Sequence, residues 1–401
     1  MAEENKNKRK EYCMKKPIIT TLILAICTLF LSCTSCVFAE TSLQKEPVAG
    51  LATNAKAAVI ADFDTGTIVL NKNGTEKLKI ASMTKMMTLL VAYDCINNNK
   101  CSLDDNVSIS SYAAGMGGSQ AFIEAGSVHK LSDLIKTVVI ASANDSSVAI
   151  AEHTFGSVEN FVFEMNKKAS QLNLKATHFV NCTGLPALNH YSCAQDCVTM
   201  LSELIRQKNN YFEYSKIWLE DYKHPSGRIT TLTNTNKLVR FYNGCDGGKT
   251  GYTNESLHCL CATAKRGNTR LIACVLGEPD SKTRFAEVSA MFNYGFGNFE
   301  TRIYLDKNNR MQTQVKNGKI SAVEVAALDN LAYFGKKGEE NGDINVVTEY
   351  TKIKAPIKKG DIVGKAFLVK DGKTLRETEL VSLNDIDKKT YFDYLSDILN
   401  S

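Results

Sequence analysis

The sequence predicts an α+β protein: a mixed sheet with a helical insertion, followed by a small all-β domain. Three observations predict it. Strand-like segments near residue 60 and again near residue 260 enclose a long stretch of helical periodicity, an order that suits one sheet interrupted by helices. From about Phe299 the texture changes to short alternating segments with turns at Asn317-Gly318, Asn341-Gly342 and Asp371-Gly372. The composition is that of an ordinary globular chain, with 44% apolar and 23% charged residues and only six prolines among 401 residues. Bulk disorder, collagen and coiled coil are excluded on that basis.

The first element is a targeting segment. Residues 6–16 are basic, Pro17–Cys36 contains no charge, and Val37-Phe38-Ala39 places small residues at the first and third positions. A basic stretch, an apolar stretch and a small-x-small end describe a secretory signal peptide over residues 1–39. An uncleaved anchor and a lipoprotein signal remain alternatives, the latter because Cys33 and Cys36 end the apolar run. In each case the body is expected to be exported, to the outer side of the cytoplasmic membrane or the cell wall. The leader accounts for +3 of the net charge of +5, leaving +2 on the remainder. A body so nearly balanced offers no phosphate-seeking surface, which argues against nucleic-acid binding.

Ala57–Phe63 and Thr67–Leu70 read as strands around a turn at Asp64-Thr65-Gly66. Ser82–Asn97 reads as a helix, followed by further helices that include Leu131–Ile140 and Ser147–Phe155. Leu257–Thr263 and Arg270–Leu276 read as strands joined at Arg266-Gly267-Asn268. Lys282–Tyr294 reads as a helix ending at Gly295-Phe296-Gly297. The domain expected over 40–298 is followed by an all-β domain over 299–384, with Gly360–Val369 and Thr374–Leu380 as a hairpin. The tail, 385–401, carries Tyr391, Phe392, Tyr394, Leu395, Ile398 and Leu399 on one helical face. That stripe suits a membrane surface or the protein's own β domain, although Asp393 and Asp397 would be repelled by anionic lipid.

Thirteen cysteines include four in the leader (Cys13, Cys27, Cys33, Cys36). The nine others lack regular zinc spacing and are expected to be buried thiols, with Cys259 and Cys261 on one face of a strand. Cys95 and Cys101 flank a short polar loop and are the expected disulfide.

The residues with chemical potential start at Ala81-Ser82-Met83-Thr84-Lys85. Ser and Lys three apart at a helix start share a face. A serine hydroxyl needs a base to become a nucleophile. A lysine can be that base if burial lowers its pKa. Alone, the motif also fits a serine that only caps a helix. Ser142-Ala143-Asn144 and Lys249-Thr250-Gly251 follow, and S-x-x-K, S-x-N and K-T-G in that order are the signature of penicillin-binding proteins and class A β-lactamases.

On these motifs, with Thr183-Gly184-Leu185-Pro186 and Ala355-Pro356-Ile357-Lys358-Lys359-Gly360-Asp361, residues ~50–382 resemble a low-molecular-mass penicillin-binding protein. The family is the serine-type D-alanyl-D-alanine carboxypeptidases, with a β-lactamase-like catalytic domain. The sequence departs from the family pattern at Gly248 and at Glu255-Ser256-Leu257-His258. The resemblance implies Ser82 as acyl-ester nucleophile, Lys85 as general base, Ser142 as proton relay between Lys85 and Lys249, and Asn144 on the substrate amide. It implies Lys249, Thr250 and Gly251 as substrate-binding residues and the backbone N–H groups of Ser82 and Tyr252 as the oxyanion hole. No metal or organic cofactor is implied. The implied partners are peptidoglycan stem peptides ending in D-Ala-D-Ala, β-lactams as covalent inhibitors, and a membrane met by the C-terminal tail. A β-lactamase of the same superfamily and a non-catalytic peptidoglycan-binding scaffold are the alternatives.

Overall fold

The structure, a computed structural model, describes residues 48–399 except 208, 209, 340, 341 and 352. The expected signal peptide and its four cysteines lie outside the described residues. Elements run in chain order as β1 (Ala57–Asp62), β2 (Ile68–Lys72), a 3-10 turn (Ala81–Thr84), α1 (Lys85–Asn97), β3 (Asn106–Ser108) and α2 (Ser111–Ala114). Next come β4 (Val128–Lys130), α3 (Leu131–Ala141), α4 (Asn144–Phe155), α5 (Val158–Gln171), α6 (Ala194–Arg206) and α7 (Tyr211–Ser215). A hairpin of β5 (Leu219–Lys223) and β6 (Ile229–Thr233) and the short α8 (Leu238–Phe241) lead to β7 (Cys245–Thr253), β8 (Leu257–Arg266), β9 (Thr269–Glu278) and α9 (Ser281–Asn298).

The main sheet has the order β2-β1-β9-β8-β7, so the helical segments α1–α7 are inserted between its second strand and its last edge. Every pairing in it is antiparallel. The mixed sheet expected from the sequence is therefore antiparallel throughout, because each consecutive strand pair after β7 is closed by a hairpin. Its strands are buried on both faces. Val59, Cys259, Cys261, Ile272 and Cys274 join the core shared with the helical insertion. The alternate residues Ile60, Leu260, Ala262, Leu271 and Ala273 face α9 and the second core. Burying both faces of a strand needs a near-continuous apolar run, and β8 and β9 supply one.

Helix α9 does not end at Tyr294 as expected but runs through the Gly-Phe-Gly stretch to Asn298. A Cβ on Gly295 would stand 2.5 Å from Leu271 Cδ1 and 3.1 Å from Ile60 Cδ1. That glycine serves close packing of helix on sheet rather than helix termination.

The remaining elements are β10 (Phe299–Leu305), β11 (Met311–Gln314), β12 (Ala322–Ala327), β13 (Leu331–Lys336), β14 (Ile344–Tyr350), β15 (Ile362–Lys370), β16 (Lys373–Ser382) and the tail helix α10 (Tyr391–Leu399). A second five-stranded sheet has the order β11-β12-β16-β15-β14, and β10 pairs with β13. The β15–β16 turn at Asp371-Gly372 has both residues at positive φ, 50° and 74°, which a tight hairpin needs. On α10 Tyr391 and Phe392 of the apolar stripe are 75% and 77% exposed. Among the described residues no helix is long and apolar enough to cross a membrane.

All nine described cysteines are free thiols. The expected Cys95–Cys101 disulfide is not formed. The two sit beside each other at the end of α1 as hydrogen-bonded thiols, and burial first, then Cys95 itself, pushes the Cys101 thiol far up.

Candidate active site

Ser82 lies in the tight turn that opens α1, and Lys85 is the first residue of α1. Residues i and i+3 eclipse in a 3-10 turn, which brings Lys85 Nζ to 3.0 Å from Ser82 Oγ. The peptide before Ser82 is gripped from two sides. A Cβ on Gly184 would fall 2.0 Å from the Ala81 carbonyl oxygen, and one on Gly251 would fall 2.5 Å from that of Ile80 and 3.3 Å from Ser82 N. Only glycine permits those approaches. Ala81 itself holds φ 45°, a left-handed conformation that costs energy for a residue with a Cβ.

Lys85 is fully buried. Its Nζ also donates to Asn144 Oδ1 at 2.6 Å and to the Thr183 carbonyl at 2.7 Å. Burial lowers its pKa to about 7, with Cys182 and Asp145 opposing the shift. Asn144 starts α4 and turns its amide Nδ2 to the Gly117 carbonyl at 2.6 Å. The Asp145 carboxylate accepts from the Ala121, Ile123 and Ser146 backbone N–H groups, which pins the segment that runs past Asn144.

Ser142 ends α3 at φ 63°, ψ 35°. This left-handed turn aims its hydroxyl at Lys249, whose Nζ donates to Ser142 Oγ at 2.7 Å and to the Thr250 carbonyl at 2.9 Å. Lys249 is 2% exposed. Burial, then the Lys85 and Arg284 charges, holds its pKa well below the ordinary lysine value. Lys249, Thr250 and Gly251 lie on β7, the edge strand beside the Ser82 turn. Tyr252 follows with its ring 54% exposed and stacked on His258 with centroids 4.3 Å apart.

The structure thus gathers Ser82, Lys85, Asn144, Ser142, Lys249, Thr250, Gly251 and Tyr252 into one cluster at the edge of the main sheet. One expected link is only half present. Ser142 bonds Lys249 but not Lys85, whose side-chain partner on that side is Asn144. Two groups escaped the sequence. Arg284 on α9 is 6% exposed and donates from Nη1 to the Gly251 and Cys259 carbonyls at 3.3 and 3.2 Å. Its burial lowers its own pKa to about 10. The Thr183 carbonyl is the other. No motif distinguishes an arginine within an amphipathic helix or a single backbone oxygen.

Residues 41–280 match the family model described as D-alanyl-D-alanine carboxypeptidase. Residues 299–388 match that of the penicillin-binding protein 5 C-terminal domain. The chain is 38% identical over 385 residues to D-alanyl-D-alanine carboxypeptidase DacF of Bacillus subtilis, covering 95% of this chain and 97% of that one. It is 32% identical to D-alanyl-D-alanine carboxypeptidase DacA of Haemophilus influenzae, covering 86% and 88%. The crystal structure of penicillin-binding protein 5 from H. influenzae superposes with a TM-score of 0.65 at 30% identity, covering 84% of this chain and 98% of that one. The match over residues 41–280 and the 38% identity over 95% of the chain show that the chain belongs to the D-alanyl-D-alanine carboxypeptidase family.

Proposed function

We propose that this protein removes the terminal D-alanine from peptidoglycan stem peptides through an acyl-enzyme on Ser82, and that penicillin acylates the same residue. The hydrogen-bond set of Lys85 carries the reading. Two of its three partners, Asn144 Oδ1 and the Thr183 carbonyl, can only accept, while Ser82 Oγ can also donate. A neutral amine has two hydrogens and one lone pair, so it fills both acceptors and leaves the lone pair for the Ser82 proton. That is the arrangement of a nucleophile beside its general base.

In the proposed reaction Ser82 Oγ attacks the carbonyl of the penultimate D-alanine while Lys85 takes its proton. The backbone N–H groups of Ser82 and Tyr252 receive the developing oxyanion; fixed donors need no reorganisation in the transition state. Lys249 and Thr250 hold the terminal carboxylate, an anion that raises the Lys249 pKa again, and Arg284 adds positive charge behind them. Asn144 orients the substrate amide. Ser142 gives its hydroxyl proton to the nitrogen of the departing D-alanine and regains one from Lys249 Nζ, which donates to it; water then attacks the ester, its proton returns through Ser142 to Lys249, and Ser82 recovers its proton from Lys85.

A class A β-lactamase would need a dedicated glutamate base for fast deacylation. Glu152 accepts from Ser110 and Glu164 pairs with Lys167, and the Asp145 carboxylate is occupied by backbone N–H groups. A scaffold without catalysis gains nothing from two buried lysines, which are costly to desolvate. The test combines D-alanine release from a D-Ala-D-Ala peptide with intact mass before and after penicillin. The native chain should gain one penicillin mass, mapped to Ser82, and Ser82→Ala should lose both labelling and release. Labelling that persists in Ser82→Ala overturns the assignment.

The leader supports export to the outer side of the cytoplasmic membrane, which N-terminal sequencing of the mature protein tests. The exposed rings of Tyr391 and Phe392 on α10 favour contact with the membrane over docking on the β domain. Deleting residues 385–401 from the signal-cleaved chain should shift it from the pelleted membrane fraction to the soluble one. Equal solubility of the two forms removes the membrane contact.

A further inference from the structure

We propose that His190 is a positioning residue for the oxyanion hole: acting through Thr84, it fixes the Ala81–Ser82 peptide so that the Ser82 N–H faces the reacting carbonyl. The inference rests on the acyl-enzyme reading of Ser82. The catalytic turn holds Ala81 at φ 45°, so the peptide that carries the Ser82 N–H would relax unless its surroundings held it. A peptide unit is planar and trans, with its carbonyl and its N–H on opposite sides. Whatever anchors the Ala81 carbonyl therefore aims the Ser82 N–H. Gly184 lets its loop approach that oxygen closely, and the side chain that binds it is Thr84, whose Oγ1 donates to it at 2.8 Å.

Thr84 is held in turn by His190. Thr84 Oγ1 and His190 Nε2 stand 2.7 Å apart, and His190 Nδ1 accepts from the Val180 N–H at 3.1 Å. A backbone N–H can only donate, and that assigns the direction of every bond. Nδ1 is the acceptor, the hydrogen of the neutral ring sits on Nε2, and Nε2 donates to Thr84 Oγ1. The single hydroxyl hydrogen of Thr84 is then committed to the Ala81 carbonyl. The bonds run one way, from Val180 through His190 and Thr84 to Ala81. Thr84 and His190 are both buried, and a buried group that loses its partner stays unsatisfied. The Phe179 ring meets the imidazole edge-on with centroids 5.7 Å apart, which fixes its plane. Burial first, then the Lys79 and His178 charges, lowers the His190 pKa to about 4. The ring therefore stays neutral, with the same nitrogen protonated, throughout the range in which Lys85 titrates.

The test follows penicillin acylation of His190→Asn, His190→Gln and Thr84→Val by stopped flow, which separates the dissociation constant of the first complex from the acylation rate constant. The infrared stretch of the acyl-ester carbonyl is the second readout. Asparagine places its oxygen at the Nδ1 position, so it satisfies Val180 and gives Thr84 no donor. Glutamine places an amide N–H at the Nε2 position and restores that donor. His190→Asn and Thr84→Val should lower the acylation rate constant by about 10- to 100-fold, short of the loss from removing an oxyanion donor outright. Their dissociation constants should stay at the native value, and their ester carbonyls should absorb at higher wavenumber because the bond from Ser82 N–H is weakened. His190→Gln should return both readouts most of the way to native. If His190→Asn does not fold by circular dichroism, the near-isosteric Thr84→Val reads the same link. An ester band at the native position in the folded variants overturns the proposal whatever their rates, and so does a His190→Gln protein as slow as His190→Asn. If penicillin does not acylate the native chain at Ser82, the acyl-enzyme reading fails and the proposal falls with it.

Discussion

Lys85 and Lys365 carry the same side chain and are shifted in opposite directions. Lys85 is buried between the helical insertion and the sheet edge, and loss of water lowers its pKa to about 7. Lys365 stands on the outer face of β15, where a 2.7 Å hydrogen bond from its Nζ to Glu377 raises its pKa. The contrast follows from the two sheets. The first is covered on both faces, so a charge at its edge can be taken out of water. The second alternates, with Ala366 and Leu368 buried and Lys365 exposed. A one-sided sheet leaves its charges solvated, and solvated lysines stay protonated. A lysine base therefore belongs to the first sheet.

The sharpest break of this comparison is Lys85→Arg. Arginine keeps the positive charge and cannot surrender its proton at accessible pH. If neutral Lys85 is the base, penicillin acylation should fall at least about 10³-fold, the upper part of the range for removing a general base. The native acylation rate should rise with pH and reach half its maximum near pH 7, where Lys85 loses its proton. Near-normal acylation by Lys85→Arg would transfer the base role to another group. Stopped-flow acylation across pH 5–9, with circular dichroism as a folding control, reads both outcomes.

How much of this was legible in the chain depended on the distance over which each contact acts. Ser82 and Lys85 meet within one turn, so their spacing alone places them. Ser142 and Lys249 meet across 107 residues and were legible only through the order of three motifs. Arg284 and the Thr183 carbonyl were not legible, since their partners are backbone oxygens that any residue supplies. Strand existence was readable from apolar runs and turns, whereas the uniformly antiparallel direction depends on pairing between distant segments. The run to Asn298 in α9 was missed because glycine reads as a stop signal, while here it is the contact point with Leu271 and Ile60. The free thiols of Cys95 and Cys101 show that proximity, which the loop length does predict, is not the same as a bond.

A second, smaller effect probes the same two-sided burial with the opposite charge. Glu278, at the end of β9, is fully buried, and both its oxygens and Glu287 Oε2 lack a donor among the described residues. A proton shared between the two carboxyls accounts for Glu287 Oε2 and one of the Glu278 oxygens. Burial, then the bond and charge of Glu287, pushes Glu278 up to about 9. Burial also raises Glu287, but its bonds from Glu278, Asn54 and Thr53 outweigh that and hold it below the ordinary value. The folded state thus keeps a proton on Glu278 that the unfolded chain releases near pH 4.5. Stability from this group is present below pH 4.5 and is lost as pH rises toward 9. Lys85 contributes the reverse slope above pH 7, so the informative quantity is the difference between two proteins. In Glu278→Gln the amide still donates to Glu287 and no longer titrates. Its Tm should gain on the native protein by more than about 5 °C between pH 5 and pH 9, since the proton difference persists over most of that window and corresponds to several kcal/mol. Parallel Tm curves would mean that Glu278 is ionised in the fold.

Lys365→Met should give the smallest effect, and its smallness completes the comparison. The Lys365–Glu377 pair is close at 2.7 Å, but the two side chains are 45% and 53% exposed. An exposed pair gains little because water screens it and two long side chains must be held still. The expected cost is at most about 1 kcal/mol, and 0.5 M salt should shrink it further because the screening length falls to a few ångströms. Acylation of Ser82 should be unchanged at every pH, since no group of the second sheet enters the Ser82 cluster. A loss of several kcal/mol, or a displaced acylation profile, would show that the β domain's surface charges act on the first sheet. The route would be the joint where Arg376 Nη1 donates to the Asp64 carbonyl at 2.6 Å and Thr301 Oγ1 donates to Asp62 at 2.8 Å. Arg376 and Thr301 would then become the next residues to replace.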